Sequence, residues 1–385
     1  RLLEVMDMNS TVQQHGSSEE ATSPLLQVEG LKKQFTQSSG LVTTIKQTIF
    51  DTEPSVVRAV DGVDLALRRN QVQGIIGESG CGKSTLLKVL MGLEAPSEGK
   101  ITFDDTAVLD YGTREWREFR RRVQIIFQDP YNAVDPKLKV RESLREPLTI
   151  HGMDDKENRI KNALRDVQLT PPEKYLDRLP RELSGGEKQR VSIARALVLD
   201  PDLILADEPV SMLDVSTQAA ILGLLNDLVN KRGLSMLYVS HDLSTVSYIC
   251  DAVNVMYLGR IVESGPTEQL LTEPAHPYTQ QLIKAVPIPD PHNNRDRTDL
   301  RGTPSDPTDL PTGCRFKDRC PERMDVCDHR PAFESIESDS RHAAACHLYT
   351  DSESYEGSNS GSIPYSTNGQ NSTDSDRVVS GRDSR

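Results

Sequence analysis

One stretch of nine residues has the composition of a phosphate-binding loop. It is GESGCGKST, and it matches the pattern G-x-x-x-x-G-K-[ST]. Its glycines would let backbone N–H groups converge on phosphate oxygens, and the helix expected to begin at Lys83 would add its positive end. Lys83 would reach the β and γ phosphates of a nucleotide, and the Ser84 hydroxyl would bind Mg²⁺. The predicted binding residues are Gly77, Glu78, Ser79, Gly80, Cys81, Gly82, Lys83, Ser84 and Thr85.

Two adjacent carboxylates follow an apolar run further along the chain. In LILADEP, Asp207 and Glu208 come directly after four apolar residues. A buried strand that ends in two acids calls for a compensating cation, because an unpaired buried charge is costly. Mg²⁺ held by Asp207 would supply that charge, and Glu208 would polarise an attacking water as a general base. Two acids at a solvent-exposed strand end are the alternative for this pair taken alone.

A third segment, ELSGGEKQR, combines a helix start with two glycines. Ser184 and Glu187 fit the S-x-x-E capping box, and apolar residues on one face of the following segment predict a helix. The free N–H groups at such a helix start suit a phosphate, and Gly185 and Gly186 leave room for one. We therefore expect both roles here, a helix cap and a phosphate contact.

Strands and helices alternate around these segments. SVVRAVDGVDLALRR predicts a half-buried strand with a break at Gly62, and QVQGIIG predicts a short buried strand before the phosphate loop. KSTLLKVLMGL predicts an apolar helix, and residues 113–200 are expected to be mostly helical. PDLILADEP and LSMLYVSHD predict two further buried strands. This alternation is typical of an α/β fold with a parallel sheet.

The composition limits the classes of function. The chain has 385 residues, a formal net charge of −13 and a mean hydropathy of −0.50. The acidic balance argues against a general nucleic-acid binder. No apolar run approaches the roughly 20 residues that span a bilayer, and the first residues do not resemble a secretory signal. We therefore expect a protein that works in the cytosol and reaches a membrane only through partners.

Three further motifs complete an ordered set. IIFQDP contains Gln128, SMLD ends at Asp214, and YVSHD contains His241. Together, these motifs resemble the ATP-binding subunit of an ABC transporter. ESGCGKST, DEPVSMLDVS, YLGRIVESG, AHPYTQQL and the late cysteine segment resemble the oligopeptide/dipeptide (peptide/nickel) importer branch. The resemblance implies an α/β P-loop NTPase fold of the ABC type, with an antiparallel β subdomain, a helical signature subdomain and a small cysteine-containing C-terminal extension.

The resemblance also implies catalytic roles, with ATP and Mg²⁺ as ligands. Glu208 would be the general base. Gln128 would contact Mg²⁺ or the lytic water, and His241 would hydrogen-bond the γ-phosphate and orient Glu208. The Mg²⁺ ligands would be Ser84, Gln128 and Asp207. Taken alone, Gln128 and His241 would be ordinary surface or core residues. Their catalytic roles are assigned because their motifs occur together with the others in the expected order.

A second ATPase subunit is implied by the same resemblance. Two such domains, identical or different, would bind ATP head to tail. Ser184, Gly185 and Gly186 would then meet the partner's nucleotide, and Asp214 would lie at the dimer contact. Glu187 stands where most members have Gln, which strengthens the capping box but adds negative charge near an anionic ligand.

The implied function is ATP hydrolysis that energises peptide uptake. The partners would be two integral-membrane permeases and, indirectly, an extracytoplasmic solute-binding protein. The chain would lie peripherally on the cytoplasmic face of the cell membrane, with no nucleic acid bound. Import of nickel or another small solute is one alternative. A non-transport soluble ABC ATPase is the other, but a single domain without a heptad run does not favour it.

The expected organisation has four parts. Residues 1–24 form a disordered arm, and residues 25–265 form the ATP-binding domain with a helical subdomain at about 130–195. Residues 266–350 form the importer-type extension with four cysteines, and residues 351–385 form a disordered acidic tail. Phe50 is the first candidate to stack on adenine, and Phe35 is the second. Asn70 and Gln71 replace the Gly-Glu that the family usually carries before the phosphate-loop strand.

Four cysteines near the C-terminus have the spacing C-x5-C-x6-C-x18-C, and they are Cys314, Cys320, Cys327 and Cys346. Cytosolic cysteines rarely form structural disulfides, and these spacings fit zinc poorly. Four thiolates are what a [4Fe–4S] cluster requires, and the resemblance implies one. A zinc site completed by His342 and His347 is the second interpretation, and four free thiols are the third.

Overall fold

The computed structural model describes residues 23–36, 56–129, 134–285, 308–336 and 341–349. The strands are β1 (Leu26–Thr36), β2 (Val56–Leu67), β3 (Val72–Ile76), β4 (Glu98–Phe103), β5 (Thr106–Ala107), β6 (Val123–Ile126), β7 (Leu203–Asp207), β8 (Ser235–Val239), β9 (Ala252–Tyr257), β10 (Arg260–Pro266), β11 (Glu334–Ser335) and β12 (Ala343–Ala344). The helices are α1 (Lys83–Leu90), α2 (Thr113–Arg122), α3 (Val140–Ile150), α4 (Lys156–Asp166), α5 (Glu173–Leu176), α6 (Gly185–Leu197), α7 (Val215–Arg232), α8 (Leu243–Ile249), α9 (Thr267–Thr272) and α10 (Pro277–Lys284). The two predicted disordered ends lie almost wholly outside the described residues.

Five neighbouring strands form the parallel part of the larger sheet. The strand order is β11-β12-β10-β9-β3-β8-β7-β6, and the last five of these run parallel. Strand β3 is buried along its whole length, as expected for a parallel strand covered on both faces. Because parallel strands end at one edge of the sheet, the residues that follow β3, β6, β7 and β8 meet there. The predicted parallel α/β sheet is confirmed.

The stretch 113–200 is mostly helical, as its sequence indicates, but it also contains a strand. Residues Val123–Ile126 form β6, which pairs with β7 in parallel, with Val123 opposite Leu203. Four residues are too few for alternation to reveal a strand, so the partner strand decides the conformation. The difference matters for the site, because Gln128 follows directly after this strand.

The early strands of the chain form a smaller antiparallel sheet. Its strand order is β2-β1-β4-β5, with Leu26 of β1 opposite Leu67 of β2. The second half of β2 alternates between buried and partly exposed residues, as predicted. Gly62, where the sequence predicts a break, has a φ of 76° and lies within the strand. The expected antiparallel subdomain is therefore present, and its strand β2 continues through the glycine.

In the described residues between β6 and β7, four segments form α-helices and Pro180–Glu182 forms a 3₁₀ helix. Helices α3, α4 and α6 pack their apolar faces together, and Leu144, Leu164 and Ile193 are fully buried there. This is the helical part that the resemblance implies. None of the described helices is long and apolar enough to cross a membrane.

A buried carboxylate ties the C-terminal residues to the larger sheet. Glu263 on β10 is completely buried and accepts hydrogen bonds from the backbone N–H groups of Ala275 (2.8 Å) and His276 (2.9 Å). Its Oε1 also lies 2.7 Å from Nε2 of His342, next to β12. A buried charge that gathers three polar partners fixes their relative positions, because losing any one leaves the carboxylate undersatisfied. The C-terminal residues are thus packed onto the larger sheet.

Candidate nucleotide site

The phosphate loop connects β3 to α1 and curls tightly because of two glycines. Gly77 has a φ of 152° and Gly82 a φ of 109°. A side chain at either position would collide with a backbone carbonyl oxygen, that of Met256 at Gly77 and that of Ala59 at Gly82. Only glycine fits such a conformation and such close approaches. The loop therefore presents its backbone toward the N-terminus of α1, as the sequence predicts.

Lys83 is folded back into this loop. Its ammonium donates to the carbonyl oxygens of Gly77 (2.7 Å) and Glu78 (3.0 Å), and the residue is 6% exposed. An ammonium that is held by two neutral carbonyls has no anionic partner among these contacts. Phosphate oxygens would offer a stronger, charge-assisted interaction.

Ser84 and Asp207 face each other across the sheet edge. The Ser84 hydroxyl donates to Oδ1 of Asp207 over 3.2 Å. Burial raises the pKa of Asp207, and the neighbouring carboxylate of Glu208 raises it further, against the hydrogen bond from Ser84. A hydroxyl and a carboxylate oxygen are hard ligands of the kind that Mg²⁺ prefers. The donor set fits the ion, and the cation would relieve the repulsion between the two acids.

Glu208 lies at the centre of a three-residue contact. Its Oε2 accepts from Nε2 of Gln128 (3.1 Å), and its Oε1 lies 2.9 Å from Nδ1 of His241. Its φ is 46°, and its own backbone N–H donates to the carbonyl of Val239 at the end of β8. The carboxylate is thus fixed by groups from three parallel strand ends. The structure brings the three predicted catalytic side chains together.

These groups open into one cavity of about 610 Å³. Its walls include Ser79–Thr85, Gln128, Glu208 and His241, together with Val57, Ala59 and Phe35. Phe35 is the second-choice adenine candidate, and the ammonium of Lys33 lies 4.8 Å from its ring centre. Phe50, the first choice, falls outside the described residues. Phe35 is therefore the aromatic candidate that the described structure places beside the loop.

Ser184 and Asp214 form a second cluster that does not line this cavity. Ser184 caps α6, since its hydroxyl accepts from Glu187 N–H (3.3 Å) while its own N–H donates to Glu187 Oε2 (2.8 Å). The backbone hydrogen bond from Ser184 lowers the pKa of Glu187. Asp214 caps α7 by accepting from Thr217 N–H (3.0 Å). A side chain at Gly186 would press on Thr217, so the two helix starts are neighbours.

The four late cysteines are close enough to influence one another. Burial raises the pKa of Cys346 to about 11, and the thiols of Cys314, Cys320 and Cys327 add to the shift. The thiol chemistry of this donor set suits an iron–sulfur cluster or zinc. However, no three His, Cys, Asp or Glu side chains in the described ranges are arranged to hold a metal ion. The structure therefore gives no support to the predicted cluster, and we derive no step through it.

Two residues that contact the phosphate loop escape sequence reasoning. Tyr278 on α10 accepts a hydrogen bond from the Glu78 backbone N–H (2.9 Å). Arg319, beside Cys320, forms a two-pronged ion pair with the Glu78 carboxylate (2.9 Å for each contact). Both lie in segments that resemble the importer branch, AHPYTQQL and the cysteine segment. That resemblance could have marked the segments as important, but it does not indicate which loop they contact.

Comparison with known families shows which family the chain belongs to. The family model described as "ABC transporter" matches residues 60–211. A second, described as "Oligopeptide/dipeptide transporter, C-terminal region", matches residues 262–327. The chain is 42% identical over 314 residues to the dipeptide transport ATP-binding protein DppF of Escherichia coli (strain K12), covering 81% of this chain and 91% of DppF. The chain belongs to the ATP-binding subunits of ABC transporters. Within them it belongs to the oligopeptide/dipeptide branch, and it is an ABC ATPase.

Solved structures of ABC ATPases share the fold. CbiO1 from Clostridium perfringens, part of an ABC transporter complex, superposes with a TM-score of 0.54 at 29% identity, covering 66% of this chain and 92% of CbiO1. The ATP-binding cassette MJ0796, in a dimeric post-hydrolysis state bound to ADP and Pi, gives a TM-score of 0.53 at 26% identity, with 63% and 98% covered. The ABC-type fold predicted from the motifs is therefore confirmed.

Proposed function

We propose that this ABC ATPase hydrolyses ATP at the Gly77–Thr85 cavity to energise peptide uptake through partner permeases. The observation that carries the proposal is the convergence of four strand ends on one cavity. There Lys83, Ser84 and the Gln128–Glu208–His241 contact line the same space, and Asp207 accepts a hydrogen bond from Ser84. This is the arrangement that in-line attack on a γ-phosphate requires.

Each group has a distinct part in the proposed reaction. Lys83 would leave the two loop carbonyls and pair with the β and γ phosphates. Bound Mg²⁺, held by Ser84 and Asp207 with Gln128 close by, would neutralise charge on the phosphate oxygens. Glu208 would accept a proton from the attacking water, and His241 would hold the Glu208 carboxylate in place. Phe35 would pack against the adenine.

The cluster formed by Ser184, Gly185, Gly186 and Asp214 points to a second subunit. It contains the N-terminus of α6, which does not line the chain's own cavity, and helix N-termini bind phosphate well. We therefore propose that it meets the nucleotide of a second ATPase subunit in a head-to-tail dimer. The dimeric state of MJ0796 with ADP and Pi supports this proposal.

The branch supports peptides as the substrate and a location at the membrane. The oligopeptide/dipeptide C-terminal match and the dipeptide transport role in the name of DppF support peptides over nickel. The chain would then work on the cytoplasmic face of the membrane with two permeases, and a solute-binding protein would deliver the peptide from outside. Uptake of labelled dipeptide, oligopeptide and Ni²⁺ by cells with and without the gene tests this. Loss of Ni²⁺ uptake alone would refute peptide import.

Glu208→Gln tests the catalytic proposal. The variant keeps the shape of the side chain but removes the base, so we expect ATP binding to persist while turnover falls about 100-fold or more. Stable dimers should then accumulate in ATP and Mg²⁺, as measured by light scattering. Glu268→Gln makes the same change at an exposed position on α9 and should behave as wild type. Wild-type turnover in Glu208→Gln would rule out the base assignment.

A metal group at the four cysteines is a separate proposal. We propose an iron–sulfur cluster, with zinc as the alternative, on the resemblance of the four-cysteine segment to the importer branch. The thiols would have to close around the group from their present positions. Iron, sulfide and zinc analysis of anaerobically purified chain tests this, with Cys250→Ser as the control outside the segment. Iron and sulfide would support the cluster, zinc the alternative, and neither element would refute both.

A further inference from the structure

Residues of the C-terminal extension bind one residue of the phosphate loop, Glu78. Glu78 is the second residue of Gly77–Thr85, and it is held from outside the loop at two points. Its backbone N–H donates to the Tyr278 hydroxyl (2.9 Å), and both of its carboxylate oxygens accept from Arg319 (2.9 Å each). The ion pair is sheltered, with Arg319 6% exposed and Glu78 17% exposed. Both anchors come from the extension, 200 and 241 residues away along the chain.

Tyr278 and Arg319, the two anchors of Glu78, are held in place by buried aromatic residues. Tyr278, Tyr257 and Phe316 are buried and pack ring against ring, with centroid distances of 4.6, 5.3 and 5.4 Å. Arg319 also donates to the Tyr257 hydroxyl over 3.2 Å. Because Tyr257 belongs to the sheet strand β9, this aromatic cluster joins the extension to the sheet directly beneath the loop. The guanidinium is therefore positioned before any nucleotide arrives.

The Glu78 peptide is also where the loop must change when phosphate binds. Its carbonyl accepts from Lys83 (3.0 Å) and from Cys81 N–H (3.3 Å). If Lys83 moves to the phosphates, Glu78 loses that internal contact, and the two external anchors remain. The carboxylate would moreover repel an incoming triphosphate unless a cation balanced it. Arg319 supplies that balance within a sheltered, two-pronged pair.

We infer that Arg319 is a positioning residue for ATP binding, and that it acts through Glu78, with Tyr278 as its partner anchor. The inference rests on the proposed role of the Gly77–Thr85 loop in binding ATP. It makes the cysteine-containing extension part of the nucleotide site, since the chain segment that carries Cys314 and Cys320 also carries the arginine. Nucleotide affinity is then sensitive to the conformation of that segment.

A charge-balanced pair of variants tests the inference. Arg319→Met leaves the Glu78 carboxylate unpaired next to Ser79, where the cavity wall begins, so affinity for a fluorescent ATP analogue should fall about tenfold, within the range usual for coupled sites. Turnover at saturating ATP should stay near wild type, because no catalytic group is touched. Adding Glu78→Gln to Arg319→Met removes the unpaired charge and should restore affinity to within about threefold. Arg323→Met removes a cation from the same segment, where it pairs with the exposed Asp318, and serves as the matched control.

The outcomes separate this inference from the proposed function. Normal ATP affinity in Arg319→Met overturns it, as does a double variant no better than the single one. If Arg319→Met does not fold, Arg319→Lys and Glu78→Gln replace it. Lysine keeps the charge without the two-pronged contact and should weaken binding about threefold, and wild-type affinity in it would overturn the inference. A wild-type chain that binds no ATP would instead refute the proposed function.

Discussion

Asp207→Asn should stabilise the empty protein while removing its response to Mg²⁺ and ATP. Asp207 is partly buried at the end of β7, and its pKa is raised by burial and then by Glu208. One hydroxyl, that of Ser84 at 3.2 Å, is the hydrogen-bond donor that the structure gives it. Asparagine keeps an oxygen for Ser84 and removes both the desolvated charge and the repulsion. The carboxylate that would bind the cation therefore lowers the stability of the protein when no cation is bound.

The magnitude follows from the environment of the two acids. Like charges on neighbouring, partly screened side chains repel by about 1 kcal/mol, so we expect a gain of about that size in the free energy of unfolding. For a domain of 150–250 residues, 1 kcal/mol shifts Tm by about 2–4 °C. ATP and Mg²⁺ at 100 times Kd add about 2.7 kcal/mol to a protein that binds them. The wild type should therefore overtake Asp207→Asn once both ligands are present.

The dependence on pH has a definite sign. The folded-state pKa of Asp207 lies above its ordinary value of 3.8, so the folded state binds the proton more tightly than the unfolded state. The penalty is absent below pH 3.8 and grows as the pH rises through the folded-state pKa. The advantage of Asp207→Asn should accordingly be full above the folded-state pKa of Asp207 and absent below pH 3.8.

Thermal unfolding with and without ATP and Mg²⁺ measures both effects. Asp214→Asn is the matched control, because hydrogen bonds from the Ser216 and Thr217 side chains and from Thr217 N–H lower the pKa of that exposed carboxylate. The same substitution there should lower Tm slightly, since it weakens a helix cap. A lower Tm for Asp207→Asn than for the wild type, both without ligands, would refute the reasoning. An undiminished Tm increase with ATP and Mg²⁺ would refute the assignment of Asp207 to the metal.

Two further predictions concern the loop and the capping box. Lys83→Ala should lower the affinity for a fluorescent ATP analogue about 100-fold or more, because it removes the one loop cation that can pair with the phosphates. Near-normal affinity would exclude Lys83 as a phosphate ligand. Glu187→Gln should lower Tm by about 1–3 °C, since a carboxylate at a helix N-terminus is worth about 0.3–1 kcal/mol. That difference should vanish as the pH falls below 4.5, because the pKa of Glu187 is lowered in the fold. Combined with Glu208→Gln, it should also strengthen ATP-driven dimerisation, and equal dimerisation would mean that the carboxylate faces away from the partner's phosphate.

Local chemistry made most of the cavity predictable from sequence. The Gly77–Thr85 loop and the acids Asp207 and Glu208 are encoded by neighbouring residues, since a strand, a turn and a helix start leave short-range patterns. The parallel sheet then brings them together, because alternating strands and helices have few ways to connect. Strand β6 was not predictable, because Val123–Ile126 is short and takes its conformation from β7.

Long-range charge pairing could not be predicted in this way. Nothing around Glu78 indicates that its partner is Arg319, 241 residues later in a segment rich in other arginines and acids. Such pairs are chosen by packing, which a local pattern does not encode. The aromatic candidate shows the same limit. Phe35 and Phe50 both precede the loop in sequence, and the register of β1 places Phe35 opposite Val57, at the cavity wall.

The capping box and the phosphate role of Ser184 can be combined physically. In the single chain, the Ser184 hydroxyl and Glu187 satisfy each other, so the helix start is stable without a ligand. The same helix is linked to the proposed general base Glu208, because the buried Gln189 donates to the carbonyl of Pro209 (2.6 Å), the residue after Glu208. A phosphate that drew the helix start toward a second subunit would pull on that hydrogen bond. The position of Glu208 in one site would then depend on the nucleotide bound in the other site. A packed helix with a ligand at one end can couple two sites in this way.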